Sequence, residues 1–225
     1  MSHLTFKAIF ISDIHIGHKS SKVDKLLKFL KEVETKKIFL VGDIIYRNCP
    51  QDDAKLKELV ALLKAKGCQL YFIHGNHETQ RDALPTVLDE FKFYKNYIYE
   101  FANKKVLVEH GDSYDSKDTF LRSLKYVAKR TQVKSKDSVS KANLKRWLHH
   151  NLKEIAKLFL HRHFSKYMAL RAKKNRCNSV ICGHFHVAKK SSHYGINYYN
   201  CGDWITNFSY IGHDFSDNLN LYRYK

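Results

Sequence analysis

Five short apolar runs punctuate the chain, and a polar cluster follows each at once. The runs are Ala8-Ile9-Phe10-Ile11, Ile38-Phe39-Leu40-Val41, Leu70-Tyr71-Phe72-Ile73, Val106-Leu107-Val108 and Val180-Ile181-Cys182. Runs of this length bounded by polar clusters fit buried strands. The pattern predicts a strand over Lys7–His15, a second ending at Asp43 and a third ending at Asn76. Further strands are expected at Asn96–Phe101, Lys105–His110, Ser179–Cys182, Ile196–Asn200 and Leu219–Tyr224. Between the early strands the period changes to that of a helix. Val23, Leu26, Leu27, Leu30 and Val33 share one face of a helix from about Lys22 to Val33, with Ser20 or Ser21 as its cap. Leu56, Leu59, Val60 and Leu63 do the same over Ala54–Lys66, which Gly67 closes. Alternating β and α followed by neighbouring strands predicts an α/β fold of mixed sheets covered by helices.

A basic segment interrupts this plan. Phe120, Leu121, Leu124 and Val127 recur at helical spacing, as do Leu144, Trp147, Leu148, Leu152 and Ile155. The reading is one domain over 1–225 with an inserted cap of two or three amphipathic helices at about 117–176, broken by a turn or a mobile loop at Thr131–Ser140. The charge is concentrated there. From 117 to 176, 18 Lys and Arg stand against three acids (Asp118, Asp137, Glu154), so this segment holds +15 of the net +18 and the rest only about +3. Such a segment is either a solvated helical face or a patch for an anionic substrate or membrane surface. Arg162, Lys166, Arg171, Lys173, Lys174 and Arg176 are its densest part.

The remaining composition narrows the class. At 225 residues and 44% hydrophobic with two prolines, the chain is long enough and apolar enough for a substantial core. The stretch Met1 to Phe10 lacks the form of a secretory signal, and no run reaches the ~18 apolar residues of a membrane span. Five scattered cysteines without paired zinc spacing read as reduced packing thiols, hence a cytoplasmic protein.

The polar clusters carry the chemistry. They are Asp13-Ile14-His15, Gly42-Asp43, Gly75-Asn76-His77-Glu78, His110-Gly111-Asp112 and Gly183-His184-Phe185-His186. Five strand ends presenting Asp, His and Asn supply what two divalent ions need in order to bind a phosphate and lower the pKa of a water. Asp43 is the natural bridge, one oxygen to each ion. Asp13, His15 and one histidine of the late pair complete one set of ligands, and Asn76, His110 and the other late histidine complete the second. His77 is left to meet the phosphate or protonate the leaving oxygen, so Asp43, Asn76 and His77 are the candidate catalytic residues. Glycines 42, 75, 111 and 183 are expected to permit the tight turns. Arg81 is a further candidate for a phosphate contact.

In order and spacing, these five motifs resemble the calcineurin-like metallophosphoesterase superfamily, over the whole chain apart from the basic insertion. The resemblance implies an α/β/β/α sandwich of two sheets flanked by helices, with a metal-bridging hydroxide attacking phosphorus in line. It also implies that His186 joins Asp13 and His15, while His184 joins Asn76 and His110. Ile11-Ser12-Asp13-Ile14-His15-Ile16-Gly17, Leu40-Val41-Gly42-Asp43-Ile44-Ile45 and Asn200-Cys201-Gly202-Asp203-Trp204 look like the UDP-2,3-diacylglucosamine hydrolase-like branch. Enzymes of that branch serve lipid A biosynthesis and cleave a nucleotide diphospho-lipid to a lipid monophosphate and UMP. The chain departs from them at His77, where they carry Arg, and at Tyr46, where many relatives have an acid.

The expected activity is therefore metal-dependent hydrolysis of a phosphoanhydride in a nucleotide-linked glycolipid. The cofactor would be two divalent ions, manganese first among Mn, Fe, Zn and Mg. The expected location is cytoplasmic, peripheral on the inner membrane surface through the basic cap. The alternative is a phosphodiesterase or nuclease whose basic segment tracks a phosphate backbone. Sparse aromatic interleaving in that segment weighs against nucleic acid. A non-enzymatic scaffold is disfavoured by the full set of ligand-type residues.

Overall fold

The computed structural model describes residues 4–47, 49–78, 84–114 and 160–225. These fall into two compact units, one of residues 1–112 with 168–225 and the other of residues 113–167. The expected cap helices before residue 160 and Arg81 lie outside the described residues. Within the smaller unit, the Tyr114 ring packs on Phe164 at 5.4 Å and Tyr167 at 5.2 Å.

The larger unit is a mixed α/β sandwich of two sheets. β1 (Leu4–Ile11), β2 (Val33–Val41) and β3 (Gln69–Ile73) run parallel, joined by α1 (Val23–Glu32) and α2 (Ala54–Ala65). The short β4 (Phe93–Tyr94) extends that sheet at one edge. β5 (Tyr97–Phe101), β6 (Lys104–Val108), β7 (Ser179–Cys182), β8 (Lys189–His193) and β9 (Ile196–Asn200) follow, then β10 (Ser209–His213) and β11 (Leu219–Arg223). The first sheet has the order β11-β10-β1-β2-β3-β4 and the second β5-β6-β7-β9-β8. In β2 the pleat sends Ile38 and Leu40 toward the helices, and Phe39 and Val41 toward the second sheet. Both faces are covered, which is why the strand reads as an unbroken apolar run. Phe10 and Phe39 stack at 4.6 Å and meet Tyr99 of the second sheet at 5.5 and 5.3 Å.

Several expectations change in detail. Neither Ser20 nor Ser21 caps α1. The cap position is Lys22, without a side-chain bond, because the Ser21 hydroxyl donates to Ile14 O at 2.8 Å. The α2 start is capped instead by Asp53, whose carboxylate accepts from Leu56 N–H at 2.9 Å. The first strand ends at Ile11 rather than His15, and the next three motif strands end at Val41, Ile73 and Val108. Every cluster residue thus lies beyond its strand, in a loop or, for Asp112, at the start of a short 3-10 turn. β4, β8 and β10 are additional to the strands that the apolar pattern predicts.

Candidate metal centre

The parallel strands β1, β2 and β3 of one sheet, and β6 and β7 of the other, release their chains at the same end of the sandwich. Backbone bonds zip the resulting loops together. Asp13 N–H donates to Gly42 O at 3.1 Å, His15 N–H to Asp43 O at 3.0 Å, and Gly183 N–H to His110 O at 3.1 Å. The loops turn on an unusual feature. Asp13, His15, Asp43, His184 and His186 all have φ between 52 and 69°. A left-handed backbone is uncommon outside glycine and clusters at functional sites, where surrounding contacts hold it. The expected role of the glycines holds for Gly42 and Gly111, at φ 78 and 109°, but they do not turn the loops alone. The chain also reverses at the candidate ligands themselves, whereas Gly75 has no positive φ and serves close approach. A Cβ there would collide with the Asp43 carboxylate and its backbone N, and lie 2.9 Å from Glu78 Oε2.

Asp43 Oδ2 sits among three imidazoles, 3.4 Å from His110 Nε2, 3.8 Å from His77 Nε2 and 3.9 Å from His15 Nε2. On one side of it, Asp13 Oδ1 lies 3.2 Å from His186 Nε2 and 3.8 Å from His15 Nε2. The two Nε2 atoms of His15 and His186 are 3.4 Å apart. On the other side, the His184 ring lies 5.2 Å from that of His110, and its Nδ1 lies 3.2 Å from Asn76 Oδ1. All seven residues expected to hold metal are thus brought to one place, with His77 beside them. Asp13, His15 and His186 form one set whose ligand atoms lie within 4.8 Å of one another, as do His15, Asp43 and His77, and Asp13, Asp43 and His110.

The electrostatics are those of a site built around charge. Burial pushes the His15 imidazole down to about 4, so at neutral pH it offers a lone pair. Burial alone would raise the Asp43 carboxyl, but His110 and His77 outweigh it and hold Asp43 below the usual carboxylate range. For His110 burial acts downward, and the Asp43 and Asp13 carboxylates overcome it and drive the imidazole up.

Two residues outside the expected ligands organise the loops: Glu78, and Asp203, for which the sequence leaves open either orienting a histidine ligand or capping a turn. Glu78, 1% exposed, accepts from the N–H groups of Asp43, Ile44, Ile45 and Gly75 at 2.7–3.1 Å. It binds the second loop to the third. Burial and the Asp43 charge push its carboxyl up to about 7, against these donors. Asp203 faces His186 Nδ1 at 3.5 Å with Oδ2, while its Oδ1 accepts from the N–H groups of Ile205, Thr206 and Asn207. It both caps a turn and backs a candidate ligand. Glu78 belongs to the Gly75-Asn76-His77-Glu78 cluster, but the order of side chains does not show that four amides converge on it. Next to His110, the buried Glu109 takes a two-pronged bond from Arg171 at 2.5 and 2.7 Å. Arg171, counted in the basic patch, is thereby engaged inside the fold.

Residues 6–188 match the calcineurin-like phosphoesterase family. The chain belongs to that family of phosphoesterases. It is 28% identical over 134 residues to a UDP-2,3-diacylglucosamine hydrolase from Hamiltonella defensa subsp. Acyrthosiphon pisum (strain 5AT), covering 53% of this chain and 51% of the relative. The chain thus spans about half the length of that curated relative. Its fold is similar to a Vps29 double mutant from Entamoeba histolytica (TM-score 0.51, 14% identity, 96% of this chain and 89% of that one). It is also similar to YfcE, a phosphoesterase from E. coli (TM-score 0.50, 13% identity, 97% and 99%).

The cluster of this phosphoesterase fits divalent cations on its own chemistry. Asp13 Oδ1 and His110 Nε2 are buried and make no well-aligned hydrogen bond, facing His186 Nε2 at 3.2 Å and Asp43 Oδ2 at 3.4 Å respectively. Each faces the cluster, and a cation there would satisfy both. Carboxylate, imidazole and amide oxygen together suit Mn, Fe, Zn or Mg. No helix among the described residues is long and apolar enough to cross a membrane.

Proposed function

We propose that this phosphoesterase uses two divalent ions, manganese first among them, to hydrolyse the phosphoanhydride of a nucleotide-linked glycolipid such as UDP-2,3-diacylglucosamine, releasing UMP. Asp13, His15 and His186 would hold one ion, Asn76, His110 and His184 the other, with Asp43 between them. The observation that carries the reading is the position of Asp43 Oδ2, within 3.4–3.9 Å of imidazoles from both sets. Such an ion pair supplies charge neutralisation for the phosphate and an activated water. The choice of substrate is supported by the partial relative alone.

The protein's own groups divide the remaining work. Asp43 Oδ1 accepts from His77 N–H at 3.0 Å, leaving Oδ2 for the cations. Arg47 N–H donates to His77 Nδ1 at 3.1 Å, so the neutral ring carries its hydrogen on Nε2, 3.8 Å from Asp43 Oδ2. Burial lowers the His77 pKa as well. Both effects oppose a second proton. Of the two roles expected for His77, hydrogen-bond donation to the phosphate is therefore favoured over full proton transfer to the leaving oxygen. The basic segment at about 117–176 would receive the lipid portion at an anionic membrane surface on the cytoplasmic side, each cation there contributing ~1 kcal/mol.

The test is incubation of Mn²⁺-loaded protein with UDP-2,3-diacylglucosamine, with UMP followed by chromatography. UMP release that disappears in Asp43→Ala is expected. No release, with cleavage of an oligonucleotide instead, would overturn the substrate reading in favour of the nuclease. For the membrane role, co-sedimentation with anionic liposomes should weaken as salt rises.

A further inference from the structure

We infer that Tyr46 and His18 form a subsite for the nucleobase of a substrate whose phosphate lies at the cation cluster. This rests on the phosphoesterase reading of that cluster and adds a recognition element beside it.

Tyr46 is held by backbone bonds rather than left on a free loop. Its N–H donates to Ile16 O at 2.7 Å, its carbonyl accepts from Cys49 N–H at 2.8 Å, and Ile45 before it pairs with Ile16. The turn carrying His18 is folded against the same strap. Gly17, at φ +89°, permits this, since a Cβ there would lie 3.0 Å from Cys49 Cα. The Tyr46 ring is half-buried and meets three imidazoles: His18 at 4.7 Å, His77 at 5.1 Å and His15 at 6.3 Å.

Two of those imidazoles border Asp43 directly. The partly exposed Tyr46 ring is thus separated from the cluster by one imidazole, that of His15 or His77. A flat, polarisable surface of this kind stacks with any base, because every base presents a π-face. His18 adds polarity. Its Nδ1 accepts from Ser20 N–H at 3.2 Å, so the hydrogen of the neutral ring is on Nε2, where it can donate to a base carbonyl. An alkyl chain would use only the ring face and an unsubstituted phosphate only the N–H, whereas a base uses both.

The experiment is calorimetric titration of the Mn²⁺-loaded protein with UMP and with ribose 5-phosphate, which share the phosphate and pentose and differ in the base. UMP should bind about tenfold more tightly, within the range of one base–aromatic stack. Tyr46→Ala should erase the difference by weakening UMP alone, while Tyr46→Phe keeps it. His18→Ala should lower the preference about threefold, the effect of one hydrogen bond. Equal affinities in the wild type, no binding of either compound, or a preference that survives Tyr46→Ala would overturn the inference. Failure to hydrolyse the UDP-lipid while the UMP preference persists would count against that substrate and support the subsite.

Discussion

Replacing Asp203 separates two duties of one carboxylate, because its oxygens face different partners. Oδ1 takes three backbone N–H groups at 2.5–3.0 Å. Oδ2 takes Asn207 Nδ2 at 2.6 Å and faces His186 Nδ1 at 3.5 Å. Asp203→Ala strands the backbone donors. Bonds to a charged acceptor contribute about 1.5–3 kcal/mol each. Partial rescue by water brings the expected loss to about 4 kcal/mol, or roughly 8–16 °C in melting temperature for a chain of this size. Asp203→Asn keeps an oxygen at the Oδ1 position but forfeits the bond that Oδ2 accepts from Asn207 Nδ2, so the turn survives with a loss of about 2 kcal/mol. Its amide then sits at the Oδ2 position and reverses the polarity toward His186. The carboxylate favours a hydrogen on Nδ1 and a lone pair on Nε2, whereas the amide donates to Nδ1 and sends the hydrogen to Nε2, toward Asp13. Mn²⁺ affinity should fall about 10–100-fold, as for other partners of ligating histidines. The assays are thermal melts in EDTA and Mn²⁺ titration by calorimetry. If Asp203→Asn binds Mn²⁺ like the wild type, or melts as low as Asp203→Ala, the two-sided reading of this carboxylate is wrong.

Three other outcomes follow from the geometry. Gly75→Ala forces a methyl against Asp43 and Glu78, which should cost about 1–3 kcal/mol in denaturant melts and abolish Mn²⁺ uptake; a variant that binds Mn²⁺ normally would contradict the close approach. Chelation should remove hydrolysis of a chromogenic phosphodiester, with recovery on adding Mn²⁺ in the wild type and none in Asp43→Ala, whereas activity persisting in EDTA would exclude the cation centre. Far from that centre, the buried His213 accepts from Tyr99 OH at 2.7 Å and pairs with Asp217 at 3.0 Å, and burial lowers its pKa below 6.5. The unfolded chain therefore takes up the proton first, so this contribution is present above pH 6.5 and lost as the pH falls. His213→Gln should flatten the acid-side decline in stability by up to about 1.4 kcal/mol per pH unit; an unchanged slope would assign the decline to other groups.

The motif strands were legible because burial on both faces leaves a continuous apolar signature. β8 carries Lys189-Lys190-Ser191-Ser192-His193, an edge strand without apolar residues, and offered no such signal. β10 is fully buried, yet Ser209, Gly212 and His213 break its apolar pattern. All the candidate ligands were legible from residue type and order. Their backbone state was not. Nothing in the order of side chains shows that Asp13 and Asp43 are left-handed, since those conformations are imposed by bonds between loops far apart in sequence. Ser21 was misassigned for a similar reason, its hydroxyl being claimed by a carbonyl seven residues earlier.

The donors around Asp43 are drawn from both layers, with Asp13 and His15 following β1 and His110 and His184 following β6 and β7. An ion shared among them would act as a rivet through the sandwich, held by the native form and lost from the denatured one. Mass action then makes folding strength a function of free cation concentration, at about 1.4 kcal/mol per decade once the binding constant is exceeded. Scarcity of the ion would thus silence the protein and shorten its life in the same stroke.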